Sequence, residues 1–151
     1  MNDQLLSGVI AGILAGNRDL YNPTYFYGPE DVVRDILYTI VCDYKELHPE
    51  AAVLRVSGDA FVQELITSIK DGTTDAFRGK YCSCNLLAFD HVERISGMQS
   101  AMVEFYELFD HIFMNGGQIL LGGSVPPAEL EGLDDRIRTQ LESGMICHVK
   151  E

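Results

Sequence analysis

Short apolar segments of high β propensity alternate along this chain with longer segments whose apolar residues recur at helical spacing, and few folds accommodate that order. The β-rich segments span residues 24–27, 52–56, 85–89, 118–121 and 145–149. Between them, Val33, Ile36, Leu37, Ile40, Val41 and Tyr44 fall on one helical stripe. Phe61, Val62, Leu65, Ile66 and Ile69 form a second stripe. Met98, Met102, Phe105, Phe109 and Ile112 form a third, stopped by Asn115-Gly116-Gly117. Strands alternating with helices of this length predict a parallel sheet covered on both faces. The near-continuous apolar runs Leu86-Leu87-Ala88-Phe89 and Ile119-Leu120-Leu121 suit strands buried on both sides. The expected fold is therefore α/β, in three layers.

At 151 residues with 46% hydrophobic content, the chain suits one domain with a real core. Eleven Lys and Arg stand against 23 Asp and Glu, a formal charge of −12. That balance opposes nucleic-acid binding through bulk charge, and docking on an anionic membrane. No apolar stretch approaches the roughly 18 residues of a membrane span. Residues 5–15 are apolar, but Asp3 precedes them and no basic flank exists, so a packed helix is expected rather than a leader. Four cysteines, Cys42, Cys82, Cys84 and Cys147, do not suggest a disulfide framework. A reduced, cytoplasmic protein is the simplest reading. Charge is uneven: no Lys or Arg lies between Arg94 and Arg136, where Glu104, Glu107, Asp110, Glu129, Glu131, Asp134 and Asp135 are all acidic. Such a run is a solvated face or a surface for a basic protein partner.

Ligands of open parallel sheets bind beyond the carboxyl ends of the strands. The first strand meets Gly28-Pro29-Glu30-Asp31 and then a long helix, the place for a phosphate loop. A working loop reads G-x-x-x-x-G-K-S/T: glycines for backbone approach, Lys for the phosphates, a hydroxyl for magnesium. Here the second glycine is Val33, the lysine Arg34 and the hydroxyl Asp35, and Pro29 removes a backbone donor. Glu30 and Asp31 fall in the first helical turn, where the helix end favours anions. The stretch reads as a capped helix start whose own carboxylates take the phosphate's place.

Several blocks together resemble the bacterial replication-initiator family DnaA. They are Asn22-Pro23-Thr24-Tyr25-Phe26-Tyr27-Gly28, then 56–66, then Phe77-Arg78-Gly79-Lys80-Tyr81, then Leu86-Leu87-Ala88-Phe89-Asp90. Val103-Glu104-Phe105-Tyr106, Pro126-Pro127-Ala128-Glu129-Leu130 and 132–138 follow in order, almost without gaps, from about residue 20 onward. The resemblance implies a P-loop NTPase-like fold: the AAA+ large subdomain, with a five-stranded parallel sheet. It implies one subdomain over residues 1–151, without lid, helix-turn-helix or N-terminal partner domain. Functional positions transfer badly. Gly28, Arg34 and Asp35 are the Walker A remnant, and Asp90 keeps the first Walker B acid while His91 replaces the second. The sensor segment falls on Gly122-Gly123-Ser124-Val125, the arginine finger on Gln140, and the single-strand-gripping basic positions near Met98 and Ser100. The resemblance thus implies a pseudo-ATPase without cofactor, whose partner is a protein, DnaA or another replication factor, with DNA binding disfavoured. The alternative is a nucleotide-binding or enzymatic site repurposed around Arg34, Asp90 and His91.

Other constellations are weaker. Cys82-x-Cys84 with His91 lacks metal-site spacing, and Cys84 reads as a small core residue. Ser57, Ser124, His111 and Asp110 form no recognisable triad. Tyr21, Tyr25 and Tyr27 have no basic neighbours and read as strand and core residues rather than base-stacking platforms.

Overall fold

The computed structural model describes residues 3–150. Strands β1 (Thr24–Tyr27), β2 (Val53–Ser57), β3 (Leu86–Asp90), β4 (Gln118–Gly123) and β5 (Met145–His148) form one parallel sheet in the order β2-β3-β4-β1-β5. Helices α1 (Asp3–Leu14), α2 (Arg18–Tyr21) and α3 (Glu30–Leu47) precede β2 in the chain. Helices α4 (Gly58–Asp71), α5 (Thr74–Cys82), α6 (Gln99–Met114) and α7 (Asp135–Leu141) follow it. Alternation along each strand divides the core in two. Phe26, Leu86, Ala88 and Leu120 pack with Val9, Ile13, Val33, Leu37 and Ile40 of α1 and α3. Tyr25, Leu87, Phe89, Ile119 and Leu121 pack with α4–α7 on the other face. The expected three-layer α/β architecture with a five-stranded parallel sheet is the observed one.

The apolar stretch 5–15 forms α1, which buries Val9 and Ile13. Helix α6 ends at Met114 with Asn115 as its C-cap, and the left-handed Gly116 follows, as the C-cap signal required. The α4 stripe is narrower than the sequence suggested. Phe61, Leu65 and Ser68 are buried, whereas Ile66 and Ile69 are exposed, because α4 sits over the edge of the sheet. Met98 is the residue before α6 rather than part of its stripe. Helix α5 carried little sequence signal, since it buries only Phe77 and Tyr81. Among the described residues, no helix is long and apolar enough to cross a membrane.

Candidate functional site

The carboxyl ends of β1, β3 and β4 meet the start of α3, and the residues singled out from the sequence converge there. Helix α3 begins at Glu30 directly after Pro29, so no loop wraps the space where phosphates would lie. Gly28 has φ +149°, and a side chain there would collide with the Val149 carbonyl. Its glycine is thus explained by the close approach of the segment after β5. Val33 is buried in the core, and Arg34 and Asp35 are exposed, 3.5 Å apart, a pair screened by solvent.

Asp90 ends β3 and is mostly buried; its Oδ1 accepts the His91 backbone N–H at 2.8 Å. His91 adopts a left-handed conformation, φ 54°. Its ring is ringed by carboxylates. Nε2 lies 3.3 Å from Glu30 Oε1 and 3.8 Å from Asp90 Oδ2, and Nδ1 lies 3.5 Å from Glu93 Oε1. The Glu30–His91 contact therefore ties the first turn of α3 to the end of β3 across the mouth. Among the described residues, Glu93 Oε2 is buried without a hydrogen-bond partner. Tyr25, whose hydroxyl donates to the Val125 carbonyl at 2.8 Å, has its pKa raised by burial first, then by Glu93 and Asp90.

Two chambers open at this mouth. One, of about 410 Å³, is lined by Gly28, Glu30, Val33, Glu93, Arg94 and Ser124. The other, of about 330 Å³, is lined by Arg34, Arg55, Val56 and Ser57. Asp90 and His91 line both. Gly122 and Gly123, where the resemblance puts the sensor segment, are small for a local reason. A side chain at Gly122 would strike Asp90, Val33 and Leu37, and one at Gly123 would strike the Tyr25 hydroxyl. Gln140, which the resemblance puts at the finger position, is buried and its Nε2 donates to the Tyr106 carbonyl at 3.0 Å, so it cannot reach outward. Among the described residues, no group of three or more His, Cys, Asp and Glu is placed to share a metal ion. Cys84 is buried, and burial pushes its thiol up to about 11, the behaviour of an inert core residue.

The acidic segment needs one correction. Glu107, Asp110, Glu129, Glu131 and Asp135 are exposed, and Asp134 is half-buried as the α7 N-cap, where the Arg136 backbone N–H lowers its pKa. Glu104 is buried and turned toward α5, where Arg78 Nε donates to it at 3.0 Å. It belongs to the α5–α6 packing and not to a partner surface, because its helical position faces inward. Sequence reading also passed over Glu93, Tyr25 and Arg55 as site residues. The one available signal was Arg55, a charge in the middle of a β-rich apolar segment.

Residues 5–148 match the family model of the bacterial DnaA ATPase domain. The chain is 33% identical over 131 residues to the chromosomal replication initiator protein DnaA of Symbiobacterium thermophilum, covering 86% of this chain and 29% of that protein. A structure of the replication initiator DnaA bound to AMPPCP and single-stranded DNA superposes with TM-score 0.91 at 28% identity, covering 100% of this chain and 48% of that one. Domain III of the Thermotoga maritima replication initiation protein DnaA superposes with TM-score 0.88 at 20% identity, covering 99% and 62%. The chain thus spans well under half the length of the curated relative.

Proposed function

The chain belongs to the bacterial DnaA ATPase-domain family, and on that premise we propose that it is a non-hydrolysing member that works through protein contacts in or near replication initiation. One observation carries this reading. Glu30 and His91 face each other at 3.3 Å across the mouth, so the protein's own side chains stand where a nucleotide's phosphates and metal would be held. Phosphoryl transfer depends almost wholly on positioning and on stabilising charge. Here Arg34 and Asp35 replace the Walker A pair, His91 the second acid, and buried Gln140 the arginine finger. Titration calorimetry with ATP or ADP plus magnesium is expected to show neither heat nor a melting shift up to millimolar ligand. Binding tighter than about 10 μM, roughly −6.8 kcal/mol, defeats the reading.

The partner side of the reading rests on the exposed carboxylates Glu107, Asp110, Glu129, Glu131 and Asp135, which suit a basic surface on DnaA or another replication factor. Replacing Glu107 and Asp110 together by Lys is expected to slow association with DnaA about tenfold, and to flatten its salt dependence, in a biosensor assay. An unchanged rate counts against this face. The second reading, a repurposed nucleotide site, is favoured by one fact: Arg34, Asp90 and His91 line a single cavity. Saturable nucleotide binding that disappears in Arg34→Ala is its signature.

A further inference from the structure

Strand β2 is the edge of the sheet: it pairs with β3 on one side. Among the described residues, no turn or loop backbone hydrogen bond closes its other side. A row of unpaired N–H and C=O groups is a template for one more strand. Natural edges are usually blunted by charges or bulges, and this one carries a single charge, Arg55, with Val53, Leu54, Val56 and Ser57 half-buried beside it.

What flanks the edge differs on the two faces of the sheet. On the face covered by α4 and α5, Leu54 and Val56 border a cavity of about 730 Å³ with Ala76, Phe77 and Tyr81 in its wall. Arg55 reaches the rim of that cavity too, and within it Lys80 pairs with Glu64. On the face covered by α3, Arg55 and Ser57 border the chamber of about 330 Å³ that also holds Arg34. The Arg55 guanidinium lies 4.8 Å above the Tyr38 ring, which holds it extended, and among the described residues it has no carboxylate partner. Arg34 is one helical turn before Tyr38; Asp35 lies 3.5 Å from it, Glu30 and Asp31 stand on the preceding turn, and Asp90 borders the same chamber. An otherwise acidic protein thus presents two guanidiniums along one side of an open strand.

We infer that β2 accepts an extended segment of a partner protein as a sixth strand, with acidic side chains toward Arg34 and Arg55 and apolar side chains toward Leu54, Val56 and Phe77. Side chains of an added strand alternate between the two faces, so the recognised sequence alternates acidic and apolar residues. Main-chain pairing supplies the docking, and the arginines set register and choice. This surface is separate from the acidic face invoked for DnaA. Failure here leaves that face standing, and the charge-reversed Glu107 and Asp110 variant is expected to leave this one intact.

The test uses a fluorescein-labelled octapeptide alternating Asp and Val, followed by anisotropy. Its controls are a peptide of the same composition with the Asp and Val in two blocks, and an alternating peptide N-methylated on every second amide. The alternating peptide is expected to bind at least about tenfold tighter than either control. Arg55→Glu is expected to weaken it about tenfold and to gain binding of a Lys–Val alternating peptide. Circular dichroism checks the fold of that variant, and Arg34→Glu repeats the measurement if Arg55→Glu is unfolded. Equal binding of alternating and block peptides, indifference to N-methylation, or no binding of the alternating peptide at millimolar concentration overturns the inference.

Discussion

Asn22→Ala is expected to destabilise the fold by about 2–5 kcal/mol, because each buried polar group left without its partner costs about 1–3 kcal/mol. Asn22 lies just before β1, buried, at a point where Pro23 has no N–H to offer the sheet. Its side-chain amide takes over the missing pairing with β4. Nδ2 donates to the Gly117 carbonyl at 2.8 Å, and Oδ1 accepts the Ile119 N–H at 2.8 Å. The same oxygen receives a longer contact from Gln118 Nε2, at 3.4 Å, while Nε2 keeps the Tyr21 carbonyl at 2.7 Å. Alanine leaves a donor and an acceptor unmatched beside a strand whose residues are all buried. The melting temperature is expected to fall by roughly 4–20 °C, given about 2–4 °C per kcal/mol for a chain of this size. Urea denaturation with an unchanged slope gives the free energy directly. A loss under about 0.5 kcal/mol, the range of an ordinary surface substitution, means that this amide is not part of the ladder.

Phe89→Ala is expected to cost about 3–5 kcal/mol, the range for truncating a fully buried aromatic ring. Phe89 is inaccessible to solvent, at 0% exposure. Its ring meets Phe61 edge-on at 5.2 Å and Phe105 edge-on at 5.0 Å, and so couples β3 to α4 and α6 together. The cavity left by alanine borders rings anchored on two different helices, so it can collapse only partly. The residue also precedes Asp90, so loosening here is expected to loosen the Asp90–His91 corner. Guanidinium or urea unfolding reads the stability. Amide exchange at His91, which donates to Asp90, reads the corner. Wild-type protection at that amide despite the full stability loss separates the core from the site.

Both expected losses arise from residues whose importance differed in legibility. Phe89 stood in an apolar run that already read as a strand buried on both faces. Asn22 gave no such sign, because an asparagine before a proline reads as a turn, and its ladder role requires β4, which is nearly a hundred residues away in sequence. The same division runs through the candidate site. Arg34, Asp35, Asp90 and His91 were identifiable because strand-to-helix junctions concentrate ligands, and substitutions there change the chemistry visibly. Glu93 was not, since its part depends on where the turn after β3 sends its side chain. Glu104 looked like its acidic neighbours, yet a helical position one step round from Glu107 turns it to Arg78 and into the interior.

Local order was therefore determined by the sequence alone: five β-rich segments, the long helices between them, the helix stop at Asn115-Gly116 and the residues Gly28 to Asp35 at the first strand-to-helix junction. Each is a matter of spacing along the chain, and the physics of propensity and amphipathic burial acts over a few residues. The tertiary structure decided what depends on neighbours distant in sequence. It set the strand order that leaves β2 at the edge, the pairing of His91 with Glu30 across the mouth, and the placing of Arg55 beside the helix that carries Arg34. Strand order follows from how the connecting helices pack on the sheet, and no periodicity within a segment encodes which edge it will occupy.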